Sequence, residues 1–351
     1  MAPVDPSLSP SSGGDDAQAA RLALVKTRAL ARKVVGERTW DEHALAGGAA
    51  LTCAQGEAVV LIAATPEVGR PGAAAMVYRR LGAALAWADK ARVERRLLHV
   101  LVDGRAGIIA RQAALFADPP TVWEIDGADV RPATPQPYGP VLEPSAEDLG
   151  AVQPLLAAGA AIAIEHGVVL AEIEGLEVGR VVDGRLEAGV GQFDRAAGVA
   201  MEAVQTRDQL VANVVRVVGE HRRAGAPPHP LNRLERARWL RALALADPSI
   251  VDAAELSRLE LAVPRPNLVE PLPALAHGRA LDQRPVVVAF SVGVNLDAVP
   301  LAADAANRSM PAEAELVLVT PARDRYPALA RLLEGLIRPT RQLSVEGPWS
   351  G

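Results

Sequence analysis

Short, mostly apolar runs alternate along this chain with longer segments of helical period, and that alternation constrains the fold more than any other feature. Ala58–Ala63, Leu97–Val102, Pro285–Val292 and Glu315–Thr320 read as strands with both faces covered. Between or beside them, Ala74–Lys90, Gly107–Phe116, Ala298–Asn307 and Arg323–Ile337 have the spacing of helices. Strands separated by helices need crossover connections, so the expected class is α/β, with mixed or mostly parallel sheets flanked by helices. Hydrophobic residues make up 50% of the 351 and aromatics only 3%, so the cores must be built from Ala, Val and Leu.

Five prolines fall between residues 131 and 145, where a chain that needs backbone donors cannot continue a sheet or helix. This stretch is read as a linker between a first α/β domain, 19–130, and a second, 146–351. Residues 1–18, rich in Pro, Ser, Gly and Asp, read as a disordered tail without the basic start and apolar run of a secretory signal. In the first domain, a helix is expected over Ala19–Val35, strands over Ala49–Cys53 and Thr121–Ile125, and a loop at Gly69–Gly72. In the second, strands are expected at Val168–Glu174, Leu176–Val182, Arg185–Val190 and Arg341–Val345. Helices are expected from Asp194 to about Val204, Asp208 to about Glu220 and Leu231 to Leu245, and a long irregular connection around Pro264, Pro266, Pro271 and Pro273.

Composition narrows the function classes. The net charge of −5 argues against a protein coated in positive potential, while leaving room for a local basic groove. Cys53 is the sole cysteine, which forbids an intrachain disulfide and suits a reducing, cytoplasmic setting. The longest apolar stretch, Leu155–Ile164, is about half of what a bilayer requires, so no membrane partner is expected.

Familiar catalytic signatures fail in turn. No Gly-Lys dipeptide exists, which removes the phosphate-binding P-loop. Asp103-Gly104-Arg105-Ala106-Gly107 has the glycines of an ordinary β-α turn. Ser291 resembles a nucleophile elbow, but the last histidine, His277, precedes it. Cys53 lies in an apolar run with no activating base beside it, and the histidines are too scattered for a structural zinc site. No cofactor is evident.

Two charged features remain. Glu172 and Glu174 lie two apart on one expected strand and so share a face, with Glu187 and Asp194 following; oxygen ligands of this kind could hold magnesium or manganese. The same acids also fit a solvated sheet face paired with Arg180 and Arg185. Second, Arg216, Arg222, Arg223, Arg233, Arg236, Arg238 and Arg241 crowd one segment, with Trp239 among them. Arginine makes bidentate phosphate contacts and tryptophan stacks on bases, so the segment is a candidate nucleic-acid or anion site. A helical surface paired to the acidic strands explains the run equally well.

A helix followed by short acid-bearing strands resembles, in element order, the core of restriction-endonuclease-like nucleases. The first domain resembles it in order too, with Ala and Thr where acids and lysine belong. Those nucleases place a lysine two residues after an acid, whereas the second domain has no lysine, so the resemblance implies a degenerate and inactive core. The stretches LLHVLVDGRAGIIARQAALF, PPHPLNRLERARWLRA and VVVAFSVGVNLDAVPLAADA also resemble a group of bacterial proteins with no assigned activity. Three functions follow: a protein that binds nucleic acid or a phosphate-bearing ligand through the arginine segment, a metal-dependent phosphodiesterase using the carboxylates, and a non-catalytic scaffold for a protein partner or homo-oligomer. Whether the chain is an enzyme stays open.

Overall fold

The computed structural model describes residues 12–45, 48–62, 80–201, 205–265 and 267–349. Two units emerge, Met1–Ala114 with Asp118–Gln136, and Pro137–Gly351 with Leu115–Ala117; the change at 136/137 lies inside the proline-rich stretch. The fold is α/β. No described helix is long and apolar enough to cross a membrane.

Unit 1 opens with helix α1 (Ser12–Val35), so residues 12–18 are helical rather than part of a disordered tail. Six strands then follow in chain order across one sheet: β1 (Asp41–Leu45), β2 (Gly48–Thr52), β3 (Ala58–Ile62), β4 (Leu98–Val102), β5 (Thr121–Asp126) and β6 (Asp129–Pro132). β1 to β3 are antiparallel, β3–β4 and β4–β5 parallel, and β6 returns antiparallel. Helices α2 (Leu81–Ala91) and α3 (Ala106–Ala113) make the two crossovers. β3 is buried at every position, as its unbroken apolar run requires, and with β4 it forms the centre of the sheet. β6 takes up residues 131 and 132, the start of the stretch read as a linker. The expected Gly69–Gly72 loop, and residues 74–79 of the helix expected at Ala74–Lys90, lie outside the described residues.

Unit 2 contains two sheets. Two short helices, α4 (Ala146–Ala151) and α5 (Gln153–Ala157), lead into β7 (Ala161–Glu165), β8 (Val168–Ile173), β9 (Leu176–Val182) and β10 (Arg185–Ala188). Ser145 and Asp148 form a capping box on α4. The four strands are antiparallel neighbours throughout. Two-residue turns join them at His166-Gly167, Glu174-Gly175 and Asp183-Gly184, all with positive φ, the geometry that matches the twist of a hairpin. Helices α6 (Gly191–Met201) and α7 (Arg207–His221) follow, the latter capped by Thr206 and Gln209.

The segment expected as one helix from Leu231 is a 3₁₀ turn, Pro230–Arg233, and then α8 (Arg236–Ala246). The second sheet has the order β11 (Ala253–Leu259), β12 (Ala274–Ala280), β13 (Pro285–Phe290), β14 (Glu315–Thr320), β15 (Thr340–Ser344). Its first three strands are antiparallel and its last three parallel, linked by α9 (Ala298–Ser309) and α10 (Pro327–Glu334). From α8 onward the order of helix, three antiparallel strands and two helix-linked parallel strands repeats that of unit 1 from α1 to β5. α8 packs on the middle strand β12 as α1 packs on β2.

α8 is buried on opposite sides for different reasons. Ala237, Leu240 and Ala244 join Ala276, Val288, Phe290 and Val317 in an apolar core with the five-stranded sheet. Arg238 and Arg241, three apart and so on one side of the helix, meet the four-stranded sheet. The other face of that sheet is apolar: Val169, Ala171, Leu176 and Val178 pack with Leu155, Val211 and Val218.

Candidate functional site

Glu172 on β8 stands directly opposite Glu177 on β9. Two carboxylates facing each other across strands repel, and burial makes that worse, so the arrangement needs cations close by. Ala171 pairs with Gly179 while Glu172 pairs with Glu177, leaving Val178 as an extra residue. This β-bulge turns Glu177 and Arg180 toward the same side, which regular alternation would forbid. Two Arg180 nitrogens then grip Glu177, Nε to Oε1 at 2.7 Å and Nη2 to Oε2 at 2.8 Å. Arg195 from α6 adds a third bond, Nη1 to Oε1 at 2.8 Å.

Glu172, 1% exposed, is held from three directions. Arg241 Nη2 donates to both of its oxygens at 3.1 Å, and Arg258 Nη2 on β11 donates at 3.2 Å. Arg238 Nη1 lies 3.1 Å from Oε1. Arg238, wholly buried, also donates to Glu165 on β7, and its Nε lies 3.4 Å from Glu235. Arg265 completes the network, donating to Glu235 Oε1 at 3.3 Å and to the Pro273 carbonyl at 3.2 Å.

Burial alone pushes the Glu172 carboxyl up, but Arg241, Arg238 and Arg258 outweigh it and hold the group below its ordinary range. Glu165 is likewise driven up by burial and brought net below by Arg238, Arg265 and Arg241. Glu235 behaves oppositely: burial dominates and its carboxyl is raised despite Arg265 and Arg238. Groups whose folded pKa is depressed stabilise the fold above the unfolded carboxyl pKa of about 4.3, and that support vanishes as pH falls through the folded value. Glu235 works in the other sense, favouring the fold as it takes up its proton. Two depressed carboxyls against one raised should leave a net loss in acid. The urea midpoint is therefore expected to fall between about pH 5 and pH 3, and to fall less in Glu172→Gln; equal pH slopes for the two proteins would contradict this.

The arginine segment divides. Arg222, Arg238 and Arg241 are buried and directed inward, not outward toward a phosphate backbone. Arg222 acts as a clamp: its Nε donates to the Glu174 carbonyl, Nη1 to those of Leu231 and Leu234, and Nη2 to that of Glu235, all near 3 Å. Burial lowers its pKa to about 10. Its guanidinium also covers the buried Trp239 ring at 4.5 Å, so that ring has no face to offer a base. Arg216 pairs with Glu220 at 2.9 Å on the exposed side of α7, and Arg223 donates to the Glu220 carbonyl. Arg233 is exposed, and half-buried Arg236 donates to the Asn232 carbonyl and lies over Trp349.

The expected metal ligands do not assemble either. Glu174 sits in the turn with φ 46°, exposed, and not on the face of Glu172. Glu187 lies 3.6 Å from Arg195, opposite Arg180 on the neighbouring strand. Asp194 accepts the Val190 N–H at 2.7 Å at the start of α6. Among the described residues no group of three His, Cys, Asp or Glu side chains is arranged to hold a metal ion.

The geometry instead places a cleft of about 480 Å³ over the charge network. Its floor carries Glu165, Glu177, Arg180, Arg195, Arg238 and Arg265. In the network as a whole, six arginines (180, 195, 238, 241, 258, 265) face five glutamates (165, 172, 177, 187, 235). Nε of Arg195, Nε and Nη1 of Arg238 and Nε of Arg265 are buried with no aligned hydrogen-bond acceptor among the described residues. The sequence places Glu177 on the strand paired with that of Glu172, and Arg180 as a partner of such acids, but carries no signal for Arg195, Arg265 or Glu165. Only the i, i+3 spacing of Arg238 and Arg241 beside apolar Ala237, Leu240 and Ala244 hints that this helix has no solvent face. Comparison of the chain with protein-family models, with curated proteins and with solved structures finds no match.

Proposed function

We propose that unit 2 is a binding module for a small anion, which enters the cleft above Arg195, Arg238 and Arg265. One observation carries the reading: the network under the cleft holds one more guanidinium than carboxylate, and guanidinium donors at its floor lack aligned acceptors. An uncompensated buried charge is costly, and an anion in the cleft, whose lining includes Arg195, Arg238 and Arg265, would offset the surplus. The volume falls in the range of about 300–1,000 Å³ found for small-molecule sites. An extended polyanion fits less well, because Arg222, Arg238 and Arg241 are turned inward and Arg216 and Arg223 are engaged with Glu220.

The test uses inorganic phosphate on the full chain, with chloride at matched ionic strength as the control. Phosphate is expected to raise the unfolding temperature of the wild type and to leave Arg195→Gln unmoved. Binding at ten times Kd corresponds to about 1.4 kcal/mol of stabilisation. Equal shifts in both proteins, or none in either, would end the reading.

A further inference from the structure

The cleft has a second character that the charge network does not require. Val168, Leu170, Leu234 and Leu268 form an apolar wall, and Phe193 and Val269 stand at 91% and 79% exposure where they line the same cleft. These residues come from β8, α6 and the segments around 234 and 268, so local sequence does not explain their convergence. Single exposed hydrophobics are common, but several lining one concave site next to a charged floor mark a surface built for an apolar partner.

Resting on the anion-binding reading above, we infer that the ligand is a single-headed organic anion with an unbranched apolar chain, a medium- or long-chain carboxylate. The head answers the charge: one surplus guanidinium calls for one negative charge, and a carboxylate's two oxygens suit the planar guanidinium groups of Arg195 and Arg265 that line the cleft. The chain answers the wall: laid along Val168 and Leu268 toward Phe193 and Val269, it removes from water the apolar surface that stands open there. A ligand with several separate anionic heads would leave negative charge beside Glu165 and Glu177 without cations to meet it.

Binding of straight-chain carboxylates from acetate to decanoate to the full chain, measured by calorimetry below micelle-forming concentrations, tests this. Each methylene that reaches the wall is expected to tighten binding about fourfold, equivalent to ~0.8 kcal/mol, until the cleft is filled. Phe193→Ser combined with Val269→Ser should flatten that slope while leaving acetate binding as it was; both side chains are solvent-exposed, so the fold should tolerate the change. Arg195→Gln should weaken every member of the series by a similar factor. Phosphate or acetate binding that depends on Arg195, with no gain along the series, would overturn the chain while leaving the anion site standing. A slope matched by uncharged alkyl glucosides and indifferent to Arg195 would overturn both, as would no binding of any member.

Discussion

Replacing Glu172 with Leu is expected to lower the free energy of unfolding by about 3–5 kcal/mol, the range seen when one partner of a buried ion pair is removed. The carboxylate is the common acceptor of Arg241 and Arg258 and lies 3.1 Å from Arg238, so its loss leaves three guanidinium groups facing one another in a site with almost no solvent. Restoring the original charge balance should recover stability. Glu172→Leu with Arg241→Met removes one charge of each sign and should regain more than half of the loss, because a well-packed apolar pair can match a buried ion pair. Glu187→Gln is the control: its carboxylate is partly exposed and 3.6 Å from its cation, so the cost should stay below about 1 kcal/mol. Urea unfolding followed by tryptophan fluorescence measures all three. A loss under about 1 kcal/mol for Glu172→Leu would mean that the arginines do not depend on this acid.

The parts of the fold legible in the sequence are those buried on both faces. β3, β4, β13 and β14 are apolar at nearly every position because sheet neighbours and helices cover them, and such runs need no context to be read. The strands that escaped notice lie at sheet edges or next to them. β1 is Asp-Glu-His-Ala-Leu and almost wholly exposed, and β11 alternates exposed Glu255 and Ser257 with a few buried positions. β7, Ala-Ile-Ala-Ile-Glu, merges into the apolar run Leu155–Ile164, and β12, Ala274–Ala280, carries little that marks a strand beyond its pairing partners.

The candidate site was legible as two lists of residues and illegible as an arrangement. Glu172 and Arg241 are 69 positions apart, and no local pattern shows that each is the other's neighbour. Helical periodicity could place Arg238 and Arg241 on one side of α8 but could not say that this side meets a second sheet. The bulge at Val178 that turns Glu177 and Arg180 to one side has no signal in the residue types, and the turn conformation of Glu174 undid the two-residue alternation that grouped it with Glu172.

Charge between the layers does something that apolar packing would not. α8 presents Ala237, Leu240 and Ala244 to one sheet and Arg238 and Arg241 to the other. A helix apolar on both sides could rotate between the two sheets at little cost. Here a rotated helix would bring guanidinium groups onto Val288 and Phe290 and take the α8 arginines away from Glu165 and Glu172, so only one orientation is tolerable. The same pairing holds the donors of Arg238 and Arg265 under the cleft.

That orientation depends on close backbone approach at the β8–β9 turn, which leads to the second large effect. Gly175→Ala is expected to destabilise unit 2 by about 3 kcal/mol or more, of which about 1–2 kcal/mol reflects the left-handed backbone and the rest steric overlap. Gly175 has φ +72°, and a Cβ built there would lie 2.3 Å from the Arg238 carbonyl oxygen and 2.8 Å from the Trp239 nitrogen. These are main-chain atoms of α8 and cannot rotate aside, so the hairpin or the helix must shift. Either movement pulls Glu172 away from Arg238 and Arg241 and opens the floor of the cleft. Gly225 provides the matched comparison, because it has the same φ of +72° and nothing within 4 Å of the added atom. Gly225→Ala should therefore show only the conformational cost, about 1–2 kcal/mol. Thermal unfolding of the two variants, with phosphate binding measured on each, separates the effects. Gly175→Ala should lose both stability and phosphate affinity, and Gly225→Ala should keep its affinity. Equal losses of stability in the two proteins would show that the contact between the turn and α8 contributes nothing beyond its backbone angle.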